Sequence, residues 1–318
     1  MKYLVRRLVS IIPTMVLVSA IIFWMMRILP GDVATLILSG PEGLYTPTLE
    51  EVAAMRVELG LDRPMVVQYF AWILGMARLD VGNSLWTDQP VFKELFRRMP
   101  LTLELGLLAT TTSLVIGIPL GVIAAVKRGT WMDYASRTFA LGGLSIPNFW
   151  IGMLIILAMV TYFRWTAPLG YAGLFESPWT NFQQLFWPAL ALGYAQAALV
   201  RRLVRSSLLE VMREDYIRTA RSKGLEEMDV IVRHALRNSM LPVITVIGIG
   251  LAGIIGGTVI IETVFSLPGV GRFMVDAIKQ RDYPVVQTLT FVFAVIYALA
   301  NLTVDLVYSV LDPRIRLT

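Results

Sequence analysis

Residues that could do chemistry are few and scattered in this sequence. Its 318 residues include one histidine, His234, and no cysteine, so paired imidazole or thiolate ligands for a metal ion are missing. It contains no GxxxxGK[ST] stretch for a phosphate-binding loop and no GxSxG stretch for a serine nucleophile. We therefore expect no catalytic residue, no metal and no cofactor in this chain.

Three acidic residues lie in or beside apolar stretches, where an ionisable side chain is a functional hypothesis by default. Glu104, Glu262 and Asp305 each lie close enough to the end of a stretch to be hydrated, which favours a solvated or hydrogen-bonded structural role. The candidates for lining a solute pathway are Glu104, Asn148 and Glu262. The sequence lacks the series of mid-membrane charges that a proton-coupled carrier would need.

Long apolar stretches must position these residues. The chain is 56% hydrophobic and 16% charged, and a helix needs about 20 apolar residues to cross a bilayer. The five clear stretches are 8–29, 101–126, 138–163, 241–264 and 285–311. A sixth, shorter stretch at 185–200 contains Pro188 and Gly193 and is ambiguous by hydropathy.

The distribution of basic residues resolves the sixth stretch. Short cytoplasmic segments of membrane proteins carry an excess of lysine and arginine. Counting 185–200 as a span places the basic segment 201–240 on the same side as Lys2, Arg6 and Arg7. The sequence thus predicts an all-α polytopic membrane protein with six transmembrane helices and both termini in the cytoplasm, its first span being retained and not cleaved as a signal peptide.

This topology divides the chain into three predicted parts. Residues 1–99 would form the first span and an extracytoplasmic cap, and residues 312–318 a cytoplasmic tail. Residues 100–311 would form a five-helix core that contains a cytoplasmic loop, 206–240. The cap could be a packing lid or a docking surface.

Local signals predict several details of these parts. Thr48 and Glu51 predict a capping box at the start of a helix over 47–63, with two further short helices over 64–79 and 90–99. Pro147 predicts a kink in the third span. Small residues four apart predict close helix packing, within this chain in preference to a subunit interface. They are Gly117 and Gly121 in the second span, and Gly248, Ala252 and Gly256 beside Gly253 and Gly257 in the fifth.

The cytoplasmic loop 206–240 carries the most informative pattern. Leu208, Met212, Tyr216 and Ala220 recur at helical spacing and predict a narrow apolar ridge on one polar helix. Gly224 predicts a left-handed helix stop, with Lys223 at the carbonyl end. From these residues alone, such a helix could equally lie on the membrane surface.

The residues of this loop resemble a known family. DYIRTARSKGL at 215–225, followed by RHALRNSMLPV at 233–243, resembles the "EAA" cytoplasmic loop of ABC importer permeases. Because that loop couples the permease to its ATPases, residues 206–240 are called the coupling loop below. The likeness is to the branch that serves dipeptides, oligopeptides, nickel and glutathione, and it covers nearly the whole chain. Other segments similar to the first permease subunit of that branch are RILPGD at 27–32, SIPNFWIG at 145–152, FSLPGVGR at 265–272 and LDPRIR at 311–316.

The resemblance implies the type I ABC importer permease fold in a bacterial cytoplasmic (inner) membrane. It also implies four kinds of partner: a homologous second permease subunit, two ATP-binding cassette ATPase subunits that bind the ATP and magnesium, an extracytoplasmic solute-binding protein, and membrane lipid. Nucleic acid is not among them. ATP hydrolysis would occur in the partner ATPases and not in this chain.

The resemblance further implies which residues dock the ATPase. We expect Tyr216, Ile217 and Ala220 to pack into its groove, and Glu214 and Asp215 to pair with its basic rim. The full predicted docking set is Glu214, Asp215, Tyr216, Ile217, Ala220, Arg221, Lys223 and Gly224.

Other functions remain open at this point. A secondary transporter or channel that is not coupled to ATP would carry inverted repeats and functional mid-membrane charges, and a scaffold or sensor subunit could use the same loop. Di- or oligopeptides are the expected cargo, with nickel chelates, glutathione and sugar conjugates as alternatives. The sequence identifies neither the solute nor the individual partners.

Overall fold

The computed structural model describes residues 2–28, 32–40 and 45–311. Within these ranges the chain is helical, as predicted, and the one strand-like feature is an isolated bridge between Asn83 and Pro90. The predicted tail, 312–318, lies outside the described residues. The helices are α1 (Lys2–Ile28), α2 (Val33–Ser39), α3 (Leu49–Glu58), α4 (Met65–Arg78), α5 (Val91–Val126), α6 (Trp131–Ser145), α7 (Asn148–Phe163), α8 (Pro178–Val211), α9 (Asp215–Ser222), α10 (Glu227–Asp229), a π-helical turn (Val230–Leu236), α11 (Arg237–Val264), α12 (Val270–Gln280) and α13 (Tyr283–Leu311).

Three helices in the described part of the chain are long and apolar enough to cross a membrane by themselves. They are α1, α5 and α13, with apolar windows at Ile11–Ile28, Val91–Val126 and Tyr283–Thr303. Helices α6 and α7 together would make a fourth span. The chain therefore has the helices of a multi-pass membrane protein.

The third predicted span, 138–163, is not one kinked helix. It is two helices, α6 and α7, that meet at 107°. Pro147 disfavours helical geometry in the residue before it, and Ile146 accordingly has the extended dihedrals φ −99° and ψ 127°. The prediction of a single helix was wrong because the proline breaks the helix here instead of bending it.

Two helices are longer than predicted. The separate short helix expected over 90–99 is the first part of α5, which continues through Pro100 to Val126. Helix α8 extends past the predicted 185–200 and includes Pro188. Proline is tolerated within membrane helices when neighbouring groups satisfy the freed backbone carbonyl.

The chain forms two compact units. They do not test the predicted division at residue 99/100, which stays a prediction. The first unit contains the described residues within 1–100 and 269–298, and the second contains those within 101–268 and 299–311. The core of the first unit joins α1, the start of α5, α12 and α13. Its buried residues include Met26, Val33, Phe92, Leu95, Val270, Phe273, Val285 and Leu289.

The predicted capping box is present in the first unit. Thr48 Oγ1 accepts a hydrogen bond from the backbone N–H of Glu51 at 3.3 Å, and Glu51 Oε2 accepts one from the N–H of Thr48 at 2.8 Å. The second bond stabilises the carboxylate and lowers the pKa of Glu51. Helix α3 ends before Gly60, whose φ is +64°, so the helix is shorter than the predicted 47–63.

A buried carboxylate joins the loop before α5 to the start of α13. Ser84 Oγ donates to Asp282 Oδ2 at 2.5 Å, and Trp86 Nε1 donates to the carbonyl of Gln280 at 2.7 Å. Burial raises the pKa of Asp282, and the bond from Ser84 only partly opposes that rise.

The raised pKa of Asp282 predicts how stability changes with pH. An acid with a higher pKa when folded destabilises the protein as pH rises from the unfolded value of about 3.9 through the folded value, because unfolding then releases a proton. We expect Asp282→Asn to abolish this fall while keeping an acceptor for Ser84. Thermal unfolding in detergent from pH 4 to 8 measures it, and an unchanged pH profile in the variant would contradict the assignment.

The second unit is built around α8, which packs against α6, α7 and α11. Glycines of α5 let the two backbones approach closely: a Cβ at Gly117 would lie 2.8 Å from the carbonyl oxygen of Ala197, and one at Gly121 would lie 2.6 Å from Val204 Cβ. The predicted internal packing of Gly117 and Gly121 is therefore confirmed.

The glycines of α11 behave differently from the prediction. A Cβ at Gly257 would meet Leu192 Cδ1 at 2.9 Å, but nothing lies within 4 Å of a Cβ at Gly253 or Gly256. The side chain of Ala252 lies outside what the structure describes. Internal packing was thus wrong for Gly253 and Gly256, whose sides of α11 face open space.

Candidate functional site

The coupling loop folds as a short helix between two turns. Helix α8 ends at Val211, and Glu214 has the extended dihedrals φ −66° and ψ 149° immediately before α9. The single apolar ridge predicted from Leu208 to Ala220 is therefore wrong, because the chain changes direction between Met212 and Glu214. After α9, the chain returns through α10 and the π-helical turn to α11.

The buried side of α9 packs against other helices of this chain. Ile217 is fully buried and Ala220 nearly so. They belong to an apolar cluster that also contains Ala125 of α5, Leu208 of α8, Val230 and Ala235. The expectation that Ile217 and Ala220 contact an ATPase groove is wrong, since both side chains are covered by residues of this chain.

The end of α9 follows the predicted chemistry. Gly224 has φ +80°, in the left-handed region that favours glycine. Its N–H donates to the carbonyl of Arg221 at 2.9 Å, and Lys223 is the C-cap residue. The predicted left-handed stop at Gly224 is confirmed.

Charged pairs lie within α9 and across the turn that follows it. Arg221 donates to Glu227 through Nη2 at 2.6 Å and through Nε at 3.0 Å. These bonds lower the pKa of Glu227 and raise that of Arg221. Arg218 and Asp215 form an exposed pair at 3.3 Å. Arg221, predicted to contact a partner, is thus already paired within the chain, whereas Glu214 and Lys223 are exposed.

Apolar side chains lie exposed beside these charges. Tyr216 is 41% exposed, and its hydroxyl accepts a hydrogen bond from Asn238 Nδ2 at 2.8 Å. Met228 is 68% exposed, and Leu225 is also exposed. Residues Tyr216, Leu225 and Met228 are called the exposed face below. The sequence-based predictions included neither Leu225 nor Met228. Met228 was detectable, because it is an apolar residue within the acidic stretch 226–229.

An ion-pair cluster fixes the start of α6 to α8. Asp133 accepts from Arg201 Nη2 at 3.2 Å and from Arg205 Nη2 at 2.9 Å, and Arg201 also donates to Ser136 Oγ at 2.7 Å. Arg201 and Asp133 are buried. Removal of one partner from such a cluster leaves an uncompensated buried charge. The sequence pattern gave no sign of this pairing.

The predicted pathway residues have different surroundings. Glu262 is completely buried and accepts from Thr102 Oγ1 at 2.7 Å, so its expected hydration was wrong. Glu104 is half-buried and accepts from the Tyr171 hydroxyl at 2.7 Å. Asn148 begins α7, directly after the bend at Pro147. Their role in a pathway stays a prediction.

Helix α8 also carries a polar side chain that the sequence analysis missed. Both amide atoms of Gln196 are buried and have no hydrogen-bond partner among the described residues. A Cβ at Gly250 of α11 would lie 2.8 Å from Gln196 Nε2. Gln196 is therefore a further candidate for contact with a solute or a second subunit.

Two family descriptions match almost the whole chain. Residues 117–317 match the binding-protein-dependent transport system inner membrane component, and residues 1–106 match the N-terminal part of such a membrane component. The chain therefore belongs to the family of inner membrane permease components of binding-protein-dependent ABC importers.

Relatives match along their full length. The chain is 42% identical over 316 residues to the probable peptide ABC transporter permease protein y4tP of Sinorhizobium fredii, with 99% of each chain covered. It is 41% identical over 339 aligned positions to the dipeptide transport system permease protein DppB of Escherichia coli, again with 99% of each covered. These values make the chain a full-length relative of both proteins.

Solved structures share the fold. A chain from inward-facing conformations of the MetNI methionine ABC transporter matches with a TM-score of 0.52 and 20% identity, covering 69% of this chain and 96% of its own. A chain of an amino acid ABC transporter matches with a TM-score of 0.51 and 15% identity, covering 70% and 94%. At these identities the likeness establishes the ABC importer permease fold alone.

Proposed function

We propose that this chain forms half of the translocation pathway of an ABC importer for di- or oligopeptides. The observation that carries the cargo is the full-length identity of 42% and 41% to permeases named for peptides and dipeptides. A homologous second permease subunit forms the other half of the pathway. Glu104, Asn148, Glu262 and Gln196 are candidates to line this half.

The proposed topology has six spans with both termini in the cytoplasm. The spans are α1, α5, the α6/α7 pair, α8, α11 and α13. Four of these spans are supported by the length and apolar character of α1, α5, α13 and the bent α6/α7 pair. The basic residues at the start of α1 and in the coupling loop support the orientation.

Two ATPase subunits bind the ATP and magnesium in this proposal, and an extracytoplasmic solute-binding protein delivers the peptide. This chain is then not an enzyme and holds no cofactor of its own. The absence of a phosphate-binding loop from the sequence supports that division of labour.

The coupling loop docks one ATPase. Its inner residues, Ile217 and Ala220, fasten α9 to the ends of α5 and α8, and the exposed face then contacts the ATPase groove. Glu214, Asp215 and Lys223 lie beside this face and can pair with charges at the rim of the groove. Because α9 is anchored to long helices, movement of the ATPase reaches the pathway as a rigid-body displacement.

The exposed face predicts which substitutions release the ATPases. We expect Tyr216→Ala or Met228→Ser to weaken their association about tenfold or more, since central apolar anchors dominate such interfaces. Co-purification of the assembly from membranes in mild detergent measures the association. Met65→Ser is the matched control, because Met65 is also exposed but lies in the first unit.

Two outcomes would contradict the proposed coupling to ATPases, and a third would change the proposed cargo. Equal loss of ATPase from Met65→Ser and Met228→Ser would show that the exposed face is not specific. Isolation of a stable lone chain or homo-oligomer that transports without ATP would favour the secondary transporter. In proteoliposomes with all partners, uptake of nickel chelates or glutathione but not of dialanine would keep the importer and change its cargo.

A further inference from the structure

A cavity in the first unit combines apolar walls with several nitrogen donors. It has a volume of about 280 Å³ and lies between the end of α1, α4, the start of α13 and the loops around residues 60 and 81. Val33, Leu59, Leu61, Val81, Leu85 and Pro284 form its apolar walls. Such a cavity, largely apolar with a few polar groups, is typical of a small-molecule site.

Three of its lining residues carry donors that the described part of the chain leaves unsatisfied. These donors are Trp72 Nε1, Gln287 Nε2 and Arg27 Nη1. Trp72 is only 9% exposed and Gln287 only 4%. Buried polar groups in native proteins are nearly always hydrogen-bonded, so three unsatisfied donors around one cavity indicate that an acceptor normally occupies it.

The charges around the cavity define that acceptor further. Arg27 donates through Nη2 to the neutral amide oxygen of Gln68 at 2.7 Å, and its guanidinium lies over the Phe23 ring. Among the described residues, no carboxylate pairs with it. Arg63 also lines the cavity, and Asp80 is the one acid among the described residues that line it. The Oδ1 atom of Asp80 accepts from the N–H of Gly82 at 3.3 Å. Two guanidinium groups against one carboxylate favour an anionic occupant.

We propose that this cavity binds the carboxylate of a small solute. Arg27 Nη1, Trp72 Nε1 and Gln287 Nε2 donate to the carboxylate oxygens, and the apolar walls surround a short side chain or methyl group. The site lies within one unit of this chain, so it depends neither on the coupling loop nor on the identity of the cargo. A phosphate of a lipid headgroup offers the same acceptor chemistry and is the alternative source that the experiment separates.

Isothermal titration calorimetry on the full chain in phosphatidylcholine nanodiscs tests the site. The probes are N-acetylalanine, its uncharged amide and glycerol 3-phosphate. We expect N-acetylalanine to bind, and Trp72→Phe and Gln287→Leu each to weaken it at least about tenfold, because each removes a bond to a charged group. Trp86→Phe is the matched control, since the Trp86 indole already donates to the carbonyl of Gln280.

Thermal unfolding gives a second readout that a purely structural role would not produce. Without ligand, Gln287→Leu should raise the melting temperature, because the variant no longer buries an unsatisfied donor. The same variant should lose the rise that N-acetylalanine causes in the wild-type chain. The proposal is overturned if N-acetylalanine does not bind, if its amide binds equally well, if glycerol 3-phosphate binds in preference, or if Gln287→Leu lowers the ligand-free melting temperature.

Discussion

Gly193→Val should prevent the second unit from packing and should lower the free energy of unfolding by about 3 kcal/mol or more. A Cβ at Gly193 would lie 2.5 Å from the carbonyl oxygen of Ala109, a distance that real Cβ atoms essentially never show. The obstacle is helix backbone and not a flexible side chain, so α5 and α8 must separate. Overpacking of a well-packed interior by a few methyl groups already costs about 1–3 kcal/mol, and separation of these helices also disturbs Gly117 and Gly121.

The measurement is the yield of folded chain and its melting temperature in detergent. Gly253→Val provides the matched control, because Gly253 is also a glycine inside a long helix but nothing lies within 4 Å of its Cβ position. We expect Gly193→Ala to be intermediate and Gly253→Val to accumulate normally. If Gly193→Val accumulates as well as the control, the close approach of α5 to α8 is not required for folding.

The features that the sequence predicted depend on neighbouring residues. The capping box of Thr48 and Glu51 and the left-handed stop at Gly224 each involve groups within three residues of one another. Their geometry is determined by local backbone chemistry, which a sequence displays directly. The packing of Gly117 and Gly121 was predictable for a similar reason, because their spacing places both on one face of α5.

The features that the sequence could not predict depend on which surfaces meet. The direction that Ile217 faces is determined by the ends of α5 and α8, and residue spacing along α9 cannot reveal those neighbours. The donors of Arg27, Trp72 and Gln287 come from three separate helices, and only the fold brings them around one cavity. Pro147 was identified as a weak point, but the difference between a kink and a 107° break depends on the packing of α6 and α7.

The second large effect is expected from substitution of the buried Ile217. It distinguishes the residue that anchors α9 from the residues that contact the ATPase. Ile217→Asp would place a carboxylate in the cluster formed with Ala125, Leu208 and Val230. Burial of an unpaired charge costs several kcal/mol, so we expect α9 to leave the cluster. Hydrogen exchange over residues 215–222 should rise, and ATP-driven peptide uptake by the reconstituted assembly should fall by about a hundredfold, the equivalent of about 2.7 kcal/mol of lost coupling.

Ile217→Val is the control for this anchor, because it removes one methyl group and should cost only about 1 kcal/mol. The decisive comparison is with Tyr216→Ala, which alters the exposed face and leaves the cluster intact. If Ile217 anchors α9, then Ile217→Asp raises hydrogen exchange in α9 whether or not the ATPases are present, whereas Tyr216→Ala releases the ATPases without that rise. Normal uptake by Ile217→Asp would show that the position of α9 does not couple the ATPases to the pathway, because a loosened helix cannot transmit a rigid-body displacement.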